Sequence, residues 1–258
     1  MRYSKLIKVI FVAFMMLFLS LQATGASALN LKEGQAIVEN NIFNISNLIV
    51  LPHESYNVNE ANRMIGRIER IPSPILQELF KKNIKIILSN TNITAVKEYE
   101  YLKGVTPRGW EDTGKTWDDI PGAGGKPVVA RIGYSDPGEA HGSVNLELHE
   151  TAHAIDAYVF NNISSSEEYK AIWSKEVVNL FGNEAYFVNY SEEYFAETFA
   201  MFYLNGAENS KLKEKAPLTY EFIKNLEIRL GGVTGNLTSY STFFIKNYKT
   251  LKFTKVRN

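Results

Sequence analysis

The stretch "LELHETAHAID", from Leu146 to Asp156, contains the pattern H-E-x-x-H at His149, Glu150 and His153. On a helix, residues i and i+4 lie on one face, so the two histidines are placed to bind one metal ion. Glu150 then projects beside them towards a bound water. A catalytic zinc ion usually has three protein ligands and a water, so the pattern predicts a zinc site whose third ligand lies elsewhere in the chain.

The segment "SEEYFAETFAMFYL" (191–204) offers that third ligand. Glu193 and Glu197 share a helical face with Ala200 and Leu204, so the face becomes apolar one turn beyond the carboxylates. Carboxylates on such a face need compensation, which a zinc ion and its histidines supply. We therefore predict Glu193 as the third ligand and Glu197 as the acceptor of a histidine N–H. The alternative is a surface helix with ordinary solvated carboxylates.

Four other glutamates in the C-terminal part of the chain lie in polar surroundings and are expected to be solvated. They are Glu167, Glu168, Glu176 and Glu184.

The hydrophobic pattern changes near residue 136. Before it, three short runs rich in branched apolar residues predict strands, namely Asn47–Pro52, Asn83–Ser89 and Pro127–Ser135. A helical period lies between the first two runs and ends before Pro72. After residue 136 the main helical candidates are Ser143–Phe160, Ser166–Leu180 and Ser191–Leu204. The predicted fold class is α+β, with an N-terminal α/β lobe (a small sheet plus helices) and a mostly helical C-terminal lobe.

A long segment rich in Gly and Pro, Gly104 to Pro127, lies between the two halves and carries two tryptophans in otherwise polar company. Its turn residues predict a structured loop. Loops of this length in compact domains are often functional.

The composition excludes several classes of function. The chain has 28 basic and 28 acidic residues, which argues against a nucleic-acid partner because polyanion binders need clustered positive charge. It has no cysteine, so disulfides and cysteine chemistry are excluded. A chain of this length is large enough to build a core without disulfides, and one domain of two lobes fits it best.

Residues 1–28 are predicted to be a signal peptide. Three basic residues precede an apolar run from Val9 to Leu21, and Ala26–Ala28 is a small-x-small cleavage site. The alternative, a membrane anchor, is disfavoured because thirteen residues fall short of the roughly 20 that span a bilayer. We therefore expect a secreted, extracellular protein, exported as in Gram-positive bacteria, with no stable membrane insertion after cleavage near Leu29.

Three segments resemble the secreted Pro-Pro endopeptidases, relatives of the catalytic domain of anthrax toxin lethal factor. They are "YLKGVTPRGWEDTGKTWDDIPGAGG", "NLELHETAHAID" and "SEEYFAETFA". The resemblance covers about Asn47 to Leu226. It implies a zincin-like metallopeptidase domain at residues 29–226, with lobes of about 29–135 and 136–226. It also implies one zinc ion per chain, with His149, His153 and Glu193 as ligands, Glu150 as general base and Glu197 hydrogen-bonded to a ligand.

The resemblance further implies that the Tyr186 hydroxyl stabilises the oxyanion. Spacing alone does not select it, because Tyr190 and Tyr194 are as close in sequence and tyrosines usually pack. The implied substrate-binding residues are Trp110, Arg108, Gly124, Gly125, Lys126, His141 and Glu192. Trp110 would lie against the substrate prolines or, alternatively, pack between the lobes. Arg108 would pair with Glu192, and His141 is alternatively a hydrogen-bonded loop histidine.

Two features depart from the family. Lys126 and Pro127 follow the Gly-Gly of the loop, where relatives have a small polar residue, and the charge of Lys126 predicts a preference for acidic residues near the cut. Residues 227–258 form an extension with no acidic residue after Glu227. This basic extension is either a surface-binding segment or a solvated tail.

The sequence therefore predicts a secreted, monomeric zinc-dependent endopeptidase that hydrolyses Pro-Pro bonds in proline-rich cell-surface or extracellular proteins. The alternatives are a non-catalytic binding module of the same fold and a zinc protease of broader specificity. Presence of both the base and the ligands favours the enzyme.

Overall fold

The computed structural model describes residues 43–108, 110–138 and 140–233. The predicted signal peptide and most of the basic extension lie outside the described residues. The boundaries of the predicted domain, residues 29–226, therefore stay a prediction.

A four-stranded sheet lies in the N-terminal half. Its strands are β1 (Ile49–Val50), β2 (Ile86–Ser89), β3 (Gly122–Gly124) and β4 (Val128–Arg131). The strand order is β1-β2-β4-β3, in which β1, β2 and β4 are parallel and β3 is antiparallel to β4. Three strands fall in the predicted runs. The edge strand β3 falls in the predicted loop, because its sequence Gly-Ala-Gly has little strand propensity.

Two helices, α1 (Val58–Ile68) and α2 (Ser73–Lys81), connect β1 to β2. Asn57 caps α1 by accepting a hydrogen bond from the Glu60 N–H at 3.1 Å. The buried face of α1 consists of Ala61, Met64 and Ile68, at the helical spacing seen in the sequence. This parallel crossover with its helices fits the predicted α/β half.

From Leu146 onward the described chain is mostly helical. The helices are α3 (Leu146–Ala154), α4 (Glu167–Phe181), α5 (Ala185–Asn189), α6 (Ser191–Leu204), α7 (Gly206–Lys215), α8 (Pro217–Lys224) and α9 (Leu226–Val233). A π-helical turn, Ile155–Val159, continues α3. The α+β fold class is thereby confirmed. Among the described residues, no helix has the length and apolar character needed to span a membrane.

Helices α3 and α6 pack against each other at the centre of the helical half. Asn145 caps α3, accepting from the Leu148 N–H at 3.1 Å. Almost every residue of α6 is buried, including Phe195 and Phe199 with no exposed surface. A helix buried all round belongs to the core, so any carboxylate it carries must have a partner.

Glu176 on α4 corrects one expectation from the sequence. Its side chain is 6% exposed rather than solvated. It accepts hydrogen bonds from the backbone of Leu218 at 2.9 Å and of Thr219 at 2.8 Å, at the start of α8. A carboxylate there satisfies unpaired N–H groups and complements the helix dipole. The sequence did not reveal this role because the partner lies about forty residues away.

Strand β3 packs so closely against α3 that it has no room for side chains at its ends. A Cβ atom on Gly124 would lie 2.3 Å from His153 Cβ, and one on Gly122 would lie 2.8 Å from Glu150 Cγ. Glycine at both positions therefore brings the edge of the sheet against the helix that carries H-E-x-x-H.

We expect Gly124→Ala to lower the free energy of unfolding by about 1–3 kcal/mol, because the added methyl group overlaps His153. Gly66→Ala is the matched control: Gly66 lies on α1 with nothing within 4 Å of the added atom. This helix substitution should be neutral or stabilise the protein by up to about 1 kcal/mol. Urea denaturation measures both changes, and equal effects would contradict the proposed packing.

Candidate active site

A cavity of about 830 Å³ lies between β3, α3, α5, α6 and the long loop. Because β3 begins at Gly122, the loop itself ends at residue 121. The cavity lining includes His149, Glu150 and His153 from α3 and Glu193 and Glu197 from α6. The two helices that pack together in the core therefore bring the predicted metal-binding residues to one place.

His149, His153 and Glu193 meet inside this cavity. The two Nε2 atoms are 3.1 Å apart, and Glu193 Oε2 lies 3.4 Å from His149 Nε2 and 3.2 Å from His153 Nε2. Ligands about 2.0–2.1 Å from a tetrahedral zinc ion are separated by about 3.3 Å, so the three atoms match one face of such a site. Within the described part of the chain, these residues form the group able to hold a metal ion.

The hydrogen bonds around His149 support a cation at this position. His149 Nδ1 donates to Glu197 Oε2 at 2.9 Å, and Glu197 Oε1 accepts from the Val144 N–H at 2.8 Å. A carboxylate only accepts, so one proton of His149 sits on Nδ1. Nε2 faces a Glu193 oxygen, and with Nδ1 protonated a metal ion could take the place of the second ring proton at Nε2.

The electrostatics of the site also favour positive charge. Burial lowers the pKa of His149, but the carboxylates of Glu193 and Glu197 outweigh it and raise the pKa to about 10. Burial alone would raise the pKa of Glu193, but His149 and His153 hold it well below its usual range. The residues present therefore fit a divalent cation, and this donor set of two imidazoles and one carboxylate is typical of catalytic zinc.

Glu150 points into the same cavity from α3 and is not part of the group of three ligands. Burial raises the pKa of its carboxyl, against the opposing effect of His149 and His153. A carboxyl with a raised pKa exchanges protons more readily near neutral pH, as a general base must.

Tyr186, on α5, is the tyrosine of the three candidates that lines the cavity. Burial and then the adjacent Glu193 carboxylate raise its pKa well above the usual range, so the hydroxyl stays protonated as a donor. Tyr190 lies beneath Arg108, whose guanidinium carbon is 4.0 Å from the ring centroid. The Tyr194 hydroxyl is buried against Thr219 Oγ1 at 2.9 Å. The structure therefore distinguishes the three tyrosines, which sequence spacing alone could not, because of the three only the Tyr186 side chain lines the cavity.

The long loop forms another side of the cavity through Pro107, Arg108, Trp110 and Trp117. Arg108 donates to Glu192 on α6 at 2.8 Å, so the expected pair is present. Trp117 was not assigned a role from the sequence, although two tryptophans in one polar loop were a signal. Its ring also packs against the cluster that contains Ala123 of β3.

The structure places two expected substrate-binding residues away from the cavity. Gly124 lines it, whereas Gly125 and Lys126 do not. Lys126 Nζ donates instead to the Lys82 carbonyl at 3.0 Å. Lys126 lies in the turn between β3 and β4, and from there its side chain reaches the carbonyl at the end of α2. The preference for acidic residues expected from Lys126 therefore has no support from its position.

His141 lines the cavity but uses both ring nitrogens within the protein. Nε2 donates to the Tyr134 carbonyl at 2.6 Å, so Nδ1 accepts from Ser143 Oγ at 2.9 Å. Burial lowers the pKa of His141 and favours this neutral form. These contacts match the alternative expected for His141, a hydrogen-bonded loop histidine.

Two buried acidic residues beside H-E-x-x-H were not found from the sequence. Asp156 accepts from the Ser164 N–H at 2.8 Å and the Ser164 hydroxyl at 2.6 Å. Glu147, with no exposed surface, forms an ion pair with Arg67 of α1 and accepts from Asn145 at 3.0 Å. Both fix the ends of the helix that carries the motif. Arg67 and Ser164 lie on other elements, so local sequence gives no signal for these contacts.

Comparisons with known proteins agree with this geometry. The family model described as "Anthrax toxin lethal factor, N- and C-terminal domain" matches residues 36–226. A Pro-Pro endopeptidase of Clostridioides difficile is 51% identical over 189 residues, 73% of this chain and 86% of the relative. A Pro-Pro endopeptidase of Paenibacillus alvei is 46% identical over 182 residues, 70% of this chain and 84% of the relative.

A solved structure of the Pro-Pro endopeptidase from Paenibacillus alvei is similar to this chain, with a TM-score of 0.68 and 46% sequence identity. The similarity covers 70% of this chain and 98% of that one, so it extends over nearly all of the solved structure. The chain therefore belongs to the anthrax toxin lethal factor family and, within it, to the Pro-Pro endopeptidases.

Proposed function

We propose that this chain is a zinc-dependent endopeptidase that hydrolyses bonds between consecutive prolines. The observation that carries the proposal is the meeting of His149, His153 and Glu193 within 3.1–3.4 Å of one another beside Glu150. Relatives that are named Pro-Pro endopeptidases support the bond specificity. His149, His153 and Glu193 would hold one zinc ion per chain, and Glu197 would orient His149.

The protein groups around the metal position divide the chemistry between them. A zinc ion held by His149, His153 and Glu193 would supply a bound water of lowered pKa and a positive charge beside the carbonyl oxygen. Glu150 accepts the proton of the attacking water and delivers it to the departing nitrogen. The Tyr186 hydroxyl donates a hydrogen bond to the oxygen that becomes negative in the transition state.

A Pro-Pro substrate has to be recognised largely by its shape. Proline has no N–H group, so consecutive prolines cannot donate hydrogen bonds to the edge strand β3, whose Gly122, Ala123 and Gly124 line the cavity. Polyproline is stiff and apolar, and aromatic surfaces bind it well. Trp110 and Trp117 of the long loop provide such surfaces.

The two alternative functions make different predictions. A binding module has no need for a base beside three ligands, and the buried Glu197–His149 hydrogen bond would serve no metal. A zinc protease of broader specificity would keep the same metal residues, so only its products distinguish it. Peptide cleavage separates all three functions.

We also propose that the chain is secreted, that it acts on proline-rich extracellular or cell-surface proteins, and that it is a monomer. The basic start, apolar run and small-x-small site of residues 1–28 support export. N-terminal sequencing of protein from the culture medium tests this, with Leu29 as the expected first residue. Retention of Met1 in the cell fraction would contradict it.

Glu150→Gln should lower turnover by roughly 10²-fold or more while one zinc ion per chain remains bound, because Glu150 moves protons and is not a ligand. Glu193→Gln is the matched comparison and should lose metal affinity as well as activity. Elemental analysis measures zinc in both folded variants. Normal turnover of Glu150→Gln, or loss of its zinc, would contradict the assigned role.

Tyr186→Phe should lower kcat by about 10²-fold, the cost of losing one oxyanion donor, with KM and zinc content little changed. Tyr190→Phe removes the same group from a tyrosine outside the cavity and should keep near-normal turnover. Steady-state kinetics on one Pro-Pro peptide compares them. The opposite ranking of the two variants would show that the wrong tyrosine is assigned.

Mass spectrometry of a peptide library should show cleavage between two consecutive prolines, because the cavity walls rather than the attacking water select the bond. Trp110→Ala should reduce kcat/KM much more than stability. Trp173→Ala is the matched control: its Nε1 donates to the Phe187 carbonyl at 2.9 Å in the helical half, so it should mainly reduce stability. If the cleavage sites show no preference for proline, the chain is a zinc protease of broader specificity.

A further inference from the structure

The long loop leaves the body of the protein and returns to it at a narrow neck formed by Gly104, Val105, Trp117 and Asp118. The Trp117 N–H donates to the Val105 carbonyl at 2.9 Å. The Gly104 N–H donates to Asp118 Oδ2 at 2.7 Å. These two bonds close the base of the loop, because they join residues at its start to residues at its end.

Asp118 also connects this neck to the sheet half. Its Oδ1 accepts from Thr94 Oγ1, and Thr94 is 8% exposed in the short turn that follows β2. Thr116 Oγ1 lies 3.3 Å from Oδ2. One carboxylate therefore binds the start of the loop, its end and the underlying core. The hydrogen bonds of Thr94 and Gly104 lower the pKa of Asp118, which keeps it ionised at neutral pH.

The groups held by this neck are those that face the proposed substrate. Trp117 is adjacent to Asp118, lines the cavity and packs against the cluster that includes Tyr99 and Ala123. At its far end, the loop contacts α6 through Arg108 and Glu192, whose side chains are 58% and 36% exposed. Ion pairs at such exposure contribute little to rigidity. Arg108 also lies over the Tyr190 ring at that end. The neck is the attachment that reaches a buried side chain, that of Thr94.

We propose that Asp118 is a positioning residue for the peptidase reaction: by anchoring the neck to Thr94 and Gly104, it holds Trp110 and Trp117 against the bound prolines. The inference rests on the proposed function, because it needs a proline substrate in the cavity. Asp118 is not among the residues that line the cavity, and its hydrogen bonds go to Thr94, Gly104 and Thr116. Its loss acts on substrate binding rather than on the chemistry.

The test compares Asp118→Ala and Asp118→Asn with Asp119→Asn. Asp119 is the matched control, because its Oδ2 accepts from the Thr116 N–H at 2.9 Å and so stays within one turn. Asp118→Ala should lower kcat/KM for a Pro-Pro peptide about tenfold or more, mostly through KM, with zinc content unchanged. Asp118→Asn keeps an acceptor for Thr94 and should lose less. Asp119→Asn should stay within about twofold of the unsubstituted protein.

A double-mutant cycle with Trp110→Ala shows whether Asp118 acts through the loop. If it does, the loss caused by Asp118→Ala becomes much smaller when Trp110 is already absent. Independent losses that multiply, or an Asp118→Ala variant no worse than Asp119→Asn, would overturn the proposal. So would a lower kcat at unchanged KM.

Hydrogen exchange of the backbone amides in residues 105–117 provides a measurement that does not depend on cleavage. Asp118→Asn, which is the variant more certain to fold, should exchange faster there than Asp119→Asn. Unchanged exchange would overturn the anchoring role even in an active enzyme. If the unsubstituted protein cuts no Pro-Pro peptide but the exchange difference is present, the proposed function fails and the anchor stands.

Discussion

The hydrogen bond from His149 Nδ1 to Glu197 is the interaction on which the arrangement of the site depends. It joins the two central helices at residues 48 positions apart, and both side chains are almost completely buried. The second Glu197 oxygen accepts from the Val144 N–H just before α3. One carboxylate therefore sets the tautomer of a ligand histidine, the distance between α3 and α6 and the path of the chain into α3. Removing the Glu197 carboxylate would leave the buried imidazole of His149 without the hydrogen bond that holds its orientation.

The sheet edge and the long loop complete the cavity around this centre. Gly122 and Gly124 let β3 approach α3 without side chains, so an extended substrate has a backbone edge beside the metal residues. The loop then encloses the other side with Trp110 and Trp117. Chemistry and selectivity thus come from different parts of the protein. In the proposed function, buried helices supply the reactive groups, and the loop that we propose Asp118 anchors supplies the surface that discriminates among peptides.

The sequence predicted those features that depend on local periodicity. His149, Glu150 and His153 follow from helical spacing, and Glu197 follows from a carboxylate on an apolar face. The α+β class follows from the change of pattern near residue 136. Strand β3 was missed because close packing, not strand propensity, selects its glycines. The roles of Lys126 and Asp118 depend on which way the chain turns and on partners distant in sequence, so charge and position alone could not reveal them.

Anomalous diffraction at the zinc absorption edge tests the central claim most directly, using crystals of the protein grown with zinc. The account predicts one peak per chain, about 2.0–2.1 Å from His149 Nε2, His153 Nε2 and an oxygen of Glu193. It also predicts that the Glu197 carboxylate remains bonded to His149 Nδ1. A peak at another position, or none at these three residues, would contradict the account.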